Sequence, residues 1–244
     1  NNAASADEQI AVIKEVDKTR RQNISYFHMA DLNFKRDLRN EKAKAEKKYY
    51  DSILPTLEEI DNRWKRTVVT SPFKEELKKQ WGSTYIDKLE IEMKTFDPKI
   101  MEMRKQEIDL QNEHSELLGN AEIEFEGETH NLEGMAPFQK DRDRSVRKRA
   151  CGAKFAWYQK NAEAFDDIYD RMVKLRHKIA TTLGYENFIE LAYLRMGRID
   201  YGPEEVARYR EKIVDLVVPI VRKLHEQKKR ILGLDPLYCY DLIH

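Results

Sequence analysis

Apolar residues recur every three or four positions along most of the chain, which is the spacing of one face of an α-helix. The clearest repeat covers residues 162–183. Its apolar positions are Phe165, Ile168, Met172, Leu175, Ile179 and Leu183. A similar stripe crosses residues 203–233 at Val206, Tyr209, Ile213, Val217, Ile220 and Leu224. The pattern predicts a mostly α-helical fold, a multi-helix array of long antiparallel helices.

Prolines, glycines and capping residues divide this pattern into separate helices. We expect helices over residues 7–30, 33–68, 71–82, 98–119, 143–159, 162–183, 186–196 and 203–233, and one more that starts at Ser83. Pro55 should break the second of them, because proline has no backbone N–H to donate. Pro219 should kink the last. Glycines 82, 184 and 233 are expected as caps, with a left-handed conformation at the first, and residues 134–141 as a loop.

One short segment follows a different pattern. Residues 121–132 alternate polar and apolar side chains around Glu126-Gly127, a two-residue turn signal, and so predict a small β-hairpin. Strand side chains alternate between two faces, so the hairpin should divide into two sets. One face would carry Ile123, Phe125, His130 and Leu132, and the other Glu122, Glu124, Thr129 and Asn131. An isolated hairpin is marginal in water, so the apolar face should pack on helices.

The hairpin also suggests how the chain is organised. We expect an N-terminal helical subdomain over residues 1–120 and a hairpin plus helical subdomain over residues 121–244, packed as one unit. With only 9 glycines and 7 prolines in 244 residues, the chain has few turns, and no flexible linker is evident.

Composition narrows the classes of partner. The 44 basic and 44 acidic residues balance, so nothing draws the chain toward nucleic acid or an anionic membrane. No apolar run approaches the roughly 20 residues of a membrane-spanning helix, and no secretion signal is visible. The two cysteines, Cys151 and Cys239, fit a reducing compartment. We therefore expect a cytoplasmic protein without nucleic-acid or membrane partners.

Eight segments in order carry a family resemblance. They are SPFKEEL (71–77), KTFDP (94–98), AEIEFEGETHNL (121–132), DRSVRK (143–148), FDDIYD (165–170), LGYENF (183–188), YLRMGRIDY (193–201) and LGLDPLYCYD (232–241). They are distributed over residues 71–241. The chain resembles the N-terminal half of the oligoendopeptidase F group, within the thimet-oligopeptidase-like zinc metallopeptidases.

The resemblance implies a fold and an activity. Members of that family resemble a helical clamshell in which a zinc-bearing C-terminal half faces an N-terminal half across a deep channel. An HExxH helix and a downstream glutamate hold their zinc, and they hydrolyse short peptides. By this resemblance the chain is one wall of the channel, cut before the zinc-binding catalytic region. Zinc, short peptides and the catalytic half would be its cofactor and partners in the intact enzyme.

The residues themselves offer no zinc site. Zinc peptidases need two histidines one helical turn apart and a glutamate to activate water. The nearest approach is His225-Glu226-Gln227-Lys228-Lys229, where lysine occupies the second histidine position. A lysine ammonium would repel the ion. We expect no catalytic and no metal-binding residue in this chain, which should be inactive alone; its substrate-binding residues are not indicated by the sequence.

Other groupings have ordinary explanations. Glu163, Asp166, Asp167 and Asp170 lie on neighbouring turns of one helix, but no histidine follows a glutamate at the spacing of a di-iron site. Acidic residues in the first turns of a helix oppose its dipole, which is the simpler interpretation. Cys151 has Arg147, Lys148 and Lys154 nearby, a setting that could lower a thiol pKa. No local base accompanies it, and its helix already has an apolar stripe at Val146, Ala150, Ala153 and Trp157.

Two basic stretches and one histidine complete the candidates. Residues 35–48 hold seven basic and three acidic residues, and residues 142–149 are also basic. Aromatic residues near them fall at helical spacing, which favours solvated helix faces over an RNA-binding surface. His130 could touch a bound peptide, but its predicted face is the packed one, which favours core contact.

A second hypothesis is a standalone helical interaction module that binds a peptide or partner helix in a groove. A channel wall without its partner should also expose apolar surface and self-associate.

Overall fold

The computed structural model describes residues 3–242 and is dominated by helices, which confirms the predicted mostly α-helical class. The first helices are α1 (Ala6–Arg36), α2 (Glu41–Val69), α3 (Lys74–Trp81), α4 (Ser83–Met93) and α5 (Met101–Gly119), the last preceded by a 3-10 turn at Pro98–Ile100. Strands β1 (Ile123–Phe125) and β2 (Glu128–His130) follow. The remaining helices are α6 (Ala136–Gln139), α7 (Arg144–Lys160), α8 (Ala162–Thr182), α9 (Phe188–Arg195), α10 (Pro203–Lys212), α11 (Val218–Leu232) and α12 (Cys239–Leu242).

Side-chain caps fix where several helices begin. The Ser5 hydroxyl accepts from the backbone N–H of Glu8 at α1, and the Asn40 side chain accepts from Ala43 at α2. The Asp143 carboxylate does the same for α7. Each cap satisfies a backbone donor that the first helical turn leaves without a partner.

Two boundary predictions are wrong. Helix α1 continues to Arg36, so α2 starts at Glu41 and not at residue 33. Pro55 lies inside α2 and does not end it, because the helix continues on both sides with the proline side chain buried. Packing of that side chain offsets the hydrogen bond that the proline ring removes. The expected loop over residues 134–141 contains the short helix α6.

The expected single helix over residues 203–233 is divided in three. A π-helical turn at Ile213–Val217 separates α10 from α11, and Pro219 lies in the first turn of α11. A π turn shifts the hydrogen-bond register just where the proline cannot donate. Gly233 ends α11, as predicted, and adopts the left-handed conformation, φ 63° and ψ 32°. Gly82 has φ 89° but ψ 153°, so its predicted left-handed cap is wrong.

The hairpin forms as predicted. Glu126 and Gly127 both have positive φ, 50° and 83°, the signature of a tight turn whose twist matches the strands. The strands pair Ile123 with His130, Glu124 with Thr129 and Phe125 with Glu128. Ile123, Phe125 and Leu132 are buried and pack with Met135 and Ala150, which confirms that the apolar face packs on α7.

The chain folds as two compact units. The first comprises residues 1–113 and 169–200, and the second residues 114–168 and 201–244. Helices α5 and α8 each contribute to both units. The division near residue 121 that the sequence suggests stays a prediction.

Each unit has its own core. The first unit contains one cluster around Ile13, Val68, Leu77, Ile86 and Leu89, and another around Ile100, Ile179, Ala180 and Leu191. The core of the second unit is the hairpin cluster, to which Val146, Ala153 and Trp157 of α7 add partly buried side chains. The predicted α7 stripe is therefore confirmed. Within residues 3–242, no helix has the length and apolar content needed to cross a membrane.

Phe125→Ala tests whether the hairpin depends on its packed face. Phe125 is 8% exposed and its ring meets Phe138 edge to face at 5.0 Å. Removing such a ring leaves a cavity, so we expect a loss of about 3–5 kcal/mol in the free energy of unfolding, measured by urea denaturation. Thr129→Ala, on the solvent face, is the control and should change stability by less than about 0.5 kcal/mol. Equal losses for both variants would contradict the packing described here.

Candidate functional site

The most concentrated charge in the first unit surrounds Glu107, which is 1% exposed on α5. Three arginines contact its carboxylate. Arg104 Nη1 lies 2.5 Å from Oε2, Arg176 Nε 2.8 Å from Oε1, and Arg195 Nη1 3.0 Å from Oε2. Arg104 precedes Glu107 by one helical turn, whereas Arg176 and Arg195 come from α8 and α9. We call these four residues the Glu107 cluster.

A second carboxylate extends the cluster to another helix. Glu58 of α2 accepts two hydrogen bonds from Arg104, at 2.7 Å from Nη2 and 3.2 Å from Nε. The fork of an arginine matches the two oxygens of a carboxylate, so this contact has a defined geometry. The guanidinium groups of Arg176 and Arg195 also lie over the single ring of Phe188. Their central carbons are 5.2 and 5.6 Å from the ring centre.

The arginines keep the buried carboxylate ionised. Burial alone would raise the pKa of Glu107, but the charges of Arg195 and Arg104 and the hydrogen bond from Arg176 outweigh it and hold that pKa below its usual range. Burial lowers the pKa of Arg195. Burial also acts to lower the pKa of Arg104, but its contacts with Glu58 and Glu107 raise it overall. A carboxylate held this way cannot take up a proton near neutral pH, so the cluster suits a structural role.

A cavity of about 280 Å³ adjoins the cluster within the first unit. Its charged lining residues are Glu58, Asp61, Lys65, Glu92, Arg104 and Arg195. Most of these charges already have partners, since Lys65 Nζ lies 2.6 Å from Asp61 and 2.7 Å from Glu92. The Thr95 hydroxyl donates to the carbonyl of Glu92. The lining therefore presents paired ions, and no nucleophile with an adjacent base.

A corresponding cluster in the second unit joins α7 to α12. Asp241 is completely buried. Arg144 binds its two oxygens from Nε and Nη2, both at 3.0 Å, and Arg147 Nη2 lies 3.0 Å from Oδ1. Hydrogen bonding from Arg144 is the largest influence and lowers the pKa of Asp241 to about 2. Arg147 also donates to the carbonyl of Tyr240. These contacts hold the end of the described chain on α7.

Several residues of the two basic stretches are occupied by contacts within the protein. In residues 142–149, Arg144 and Arg147 bind Asp241, and Arg149 lies 2.5 Å from Glu126. In residues 35–48, Lys47 is buried and binds Asp51 at 2.6 Å. The expectation that nucleic acid is not a partner stays a prediction, and these contacts give it a physical reason.

The nearest approach to a zinc motif lies on α11. His225 is half-buried, and Lys229, in the second histidine position, binds Asp235 at 2.9 Å. Among residues 3–242, no three His, Cys, Asp or Glu side chains come together as a metal site would require. Glu163, Asp166, Asp167 and Asp170 are exposed on α8, and Asp170 binds Lys174 at 2.6 Å. That this chain has no catalytic or metal-binding residue stays a prediction.

Cys151 differs from its expected setting. Burial raises the pKa of its thiol, as do the hydrogen bond with Cys239 and the charge of Cys239; Lys154 acts to lower that pKa, but the raising influences outweigh it. Arg147, one of the basic residues near Cys151 in the sequence, donates a hydrogen bond to Asp241. The two sulfurs are 3.9 Å apart. His130 packs edge to face on Phe138 at 5.0 Å, so the expected core contact is confirmed.

Sequence reasoning missed both ion clusters and the cysteine pair. The spacing of Arg104 and Glu107 was visible as an i, i+3 pair on one helix. Arg195 and Glu107, however, are 88 residues apart, as are the two cysteines. No local pattern indicates contacts over that separation.

Comparison with known proteins assigns the chain to a family. Residues 1–96 match a family model described as the peptidase M3 N-terminal domain, and residues 138–243 match the peptidase family M3 model. The chain belongs to peptidase family M3. Its predicted resemblance to oligoendopeptidase F is confirmed by solved structures. No curated protein sequence matches the chain.

Three solved structures of this family are similar over almost the whole chain. PZ peptidase A with an inhibitor is 37% identical, with a TM-score of 0.94 over 98% of this chain. A structure assigned as an oligoendopeptidase F is 33% identical, with a TM-score of 0.95 over 99%. One assigned as an oligoendopeptidase F from Bacillus anthracis str. Ames is 32% identical, with a TM-score of 0.93 over 99%. The chain spans 43%, 43% and 44% of these three structures, so it matches the N-terminal portion of M3-family oligopeptidases.

Glu107→Gln tests the buried cluster. The amide cannot balance three guanidinium groups, and breaking a buried ion pair typically costs about 3–5 kcal/mol. We expect a loss of that size in the free energy of unfolding, measured by chemical denaturation. Glu102→Gln is the matched control on the same helix, since the Glu102 side chain is 72% exposed and meets only Lys105, at 3.3 Å. A Glu107→Gln variant as stable as this control would show that the cluster does not stabilise the unit.

Proposed function

We propose that the chain is the substrate-enclosing, channel-wall portion of an oligoendopeptidase F-like zinc metallopeptidase that hydrolyses short peptides. The observation that carries the proposal is the similarity, at 32% to 37% identity, to solved peptidases of family M3 over nearly every residue of this chain. The solved structures are more than twice its length. The catalytic residues of the intact enzyme are then supplied by polypeptide that corresponds to the rest of that length.

Within residues 3–242, the nearest approach to a zinc motif does not fit the ion. Of the nearest motif, His225 alone could bind the ion, while Lys229 is a cation bound to Asp235. The expected zinc is therefore assigned to polypeptide outside residues 3–242, where it would polarise the scissile carbonyl and activate water. We derive no chemical step from the side chains described here.

What this chain contributes is a rigid support. The Glu107 cluster joins α5, α8 and α9 in the first unit, the contact of Arg104 with Glu58 adds α2, and the Asp241 contacts join α7 and α12 in the second. Fixed helices keep a channel from collapsing or widening, and a channel of constant width excludes folded proteins while admitting short peptides. The substrates would accordingly be peptides without folded structure.

One apolar surface suits contact with the catalytic half. Between Tyr209 and Leu224, along α10, the π turn and the first half of α11, seven large apolar side chains are between 39% and 65% exposed. They are Tyr209, Val214, Leu216, Val217, Ile220, Val221 and Leu224. A run of this kind is too extensive for a surface that stays in water, because exposed apolar patches usually mark an interface. We call it the α10–α11 surface and assign it to the catalytic half of the enzyme.

The cytoplasm is the proposed location. Two cysteines, Cys151 and Cys239, are too few for a disulfide framework, which suits a reducing compartment. The rival hypothesis, a standalone interaction module, would need no further polypeptide. The match to two models of one peptidase family supports the peptidase portion.

Hydrolysis and metal content test the proposal directly. The purified 244-residue chain should hold no stoichiometric zinc and should not cleave an internally quenched peptide, because it supplies no ligand pair. A polypeptide extended to the length of the solved relatives should do both, with chelator-sensitive cleavage. Cleavage by the 244-residue chain that a chelator abolishes would overturn the assignment. An extended polypeptide that binds peptides without cleaving them would favour the interaction module.

Self-association tests the α10–α11 surface. The isolated chain should dimerise or form larger species at high concentration in analytical sedimentation, since the apolar side chains then cover one another. The double variant Ile220→Lys, Leu224→Lys should weaken association on the order of tenfold or more, equivalent to about 1.4 kcal/mol. Lys223→Gln, between them on the same helix, is the control and should associate like the unchanged chain. A monomer at every concentration would count against this surface as an interface.

A further inference from the structure

Two thiols from distant parts of the sequence meet in the second unit. Cys151 lies in the middle of α7, and Cys239 is the first residue of α12. Their sulfur atoms are 3.9 Å apart, close enough for a weak hydrogen bond. Ordinary disulfides need the two sulfurs at about 2.05 Å, so bond formation asks for a further approach of roughly 2 Å. Neither zinc nor peptide chemistry in the proposed function uses these thiols.

The two thiols differ in solvent exposure, and this difference indicates which of them an oxidant meets first. Cys239 is exposed, whereas Cys151 is 8% exposed. An oxidant in solution therefore reaches Cys239 first. A buried second thiol is protected from that oxidant but lies within reach of the first sulfur, which is the arrangement of an attacked thiol and its resolving partner.

The contacts around the pair hold the two sulfurs together. The bonds from Arg144 and Arg147 to the buried Asp241 fix α12 on α7, two residues beyond Cys239. The carbonyl of Tyr240 accepts a hydrogen bond from Arg147 as well. A shift of α12, which has four residues, is sufficient to close the remaining distance.

We propose that Cys151 and Cys239 form a reversible disulfide when the protein meets a hydroperoxide. The Cys239 thiolate attacks the peroxide O–O bond, which gives a sulfenic acid on Cys239 and releases an alcohol, or water when the oxidant is hydrogen peroxide. The Cys151 thiolate then attacks the Cys239 sulfur, the S–S bond forms and the S–O bond breaks, and hydroxide leaves as water. The two thiols lose two electrons and the peroxide gains them. A dithiol reductant reverses the bond by thiol–disulfide exchange.

The electrostatics of the pair favour this order. Burial, the hydrogen bond with Cys239 and the charge of Cys239 raise the pKa of Cys151, while the nearby Lys154 ammonium acts to lower it. A sulfenic acid on Cys239 is uncharged. Its formation therefore removes the Cys239 charge that raises the pKa of Cys151, while the Lys154 charge that lowers this pKa remains. The second thiol therefore becomes a better nucleophile once the first has been oxidised.

The consequence is a covalent clamp between the two helices. A bond between residues 88 apart closes a long loop, and cross-links of long loops restrict the unfolded chain strongly. The oxidised protein should resist heat better than the reduced one, because the disulfide links α12 to α7 covalently.

Peptide mapping tests the proposal. The protein is treated with a small molar excess of hydrogen peroxide, alkylated and digested with trypsin. We expect a disulfide-linked pair made of the peptide covering residues 150–154 and the one that starts at Ile231, lost on treatment with dithiothreitol. The midpoint of thermal unfolding should rise by several degrees on oxidation and return on reduction.

Matched variants separate the two thiols. In Cys239→Ser, Cys151 should stay unmodified at the same peroxide dose, because it is buried. In Cys151→Ala, which keeps a small apolar residue in the core, Cys239 should stop at the sulfenic acid or go on to the sulfinic acid, and peroxide should not raise the thermal midpoint. The proposal is overturned if the unchanged protein yields only singly oxidised Cys239, only links between separate chains, or two free thiols.

Discussion

The buried carboxylate of Glu107 is the interaction on which the first unit most depends. One anion binds three cations from three helices, and one of those cations also binds Glu58 from a fourth. Taking a carboxylate out of water costs several kcal/mol, which only a full set of partners offsets. The cost is also what makes the arrangement specific, since a helix shifted by one turn would leave a buried charge alone.

In the second unit, helices are held together by a smaller ion cluster and by the packed face of the hairpin. Asp241 accepts from Arg144 and Arg147, and the packed face of the hairpin covers α7. In both units the charges that distinguish this very polar chain are used in its interior as well as on its surface. In this family M3 chain, the buried ion pairs therefore hold helices in place.

Local signals made part of this fold predictable. The turn at Glu126-Gly127 forces positive φ at two successive residues, and alternation assigns the faces, so the hairpin could be predicted in detail. Helix caps at Ser5, Asn40 and Asp143 act within a few residues and mark real starts. The predicted break at Pro55 was wrong because a proline weakens a helix locally, whereas the packing that offsets this loss involves residues distant in the sequence. The contacts of Arg195 with Glu107 and of Cys151 with Cys239 depend on the folded chain and leave no signal in sequence spacing. The family resemblance succeeded because the eight segments occur in the order that they have in the family.

The π turn at Ile213–Val217 also determines the shape of the apolar contact area. A widened turn places one extra residue in the helical ladder, and each residue of a helix advances the side-chain direction by about 100°. Tyr209 before the turn and Leu224 after it consequently point in directions that a continuous α-helix would not give them. The exposed apolar residues on the two sides of the turn therefore do not continue along one uninterrupted α-helical stripe.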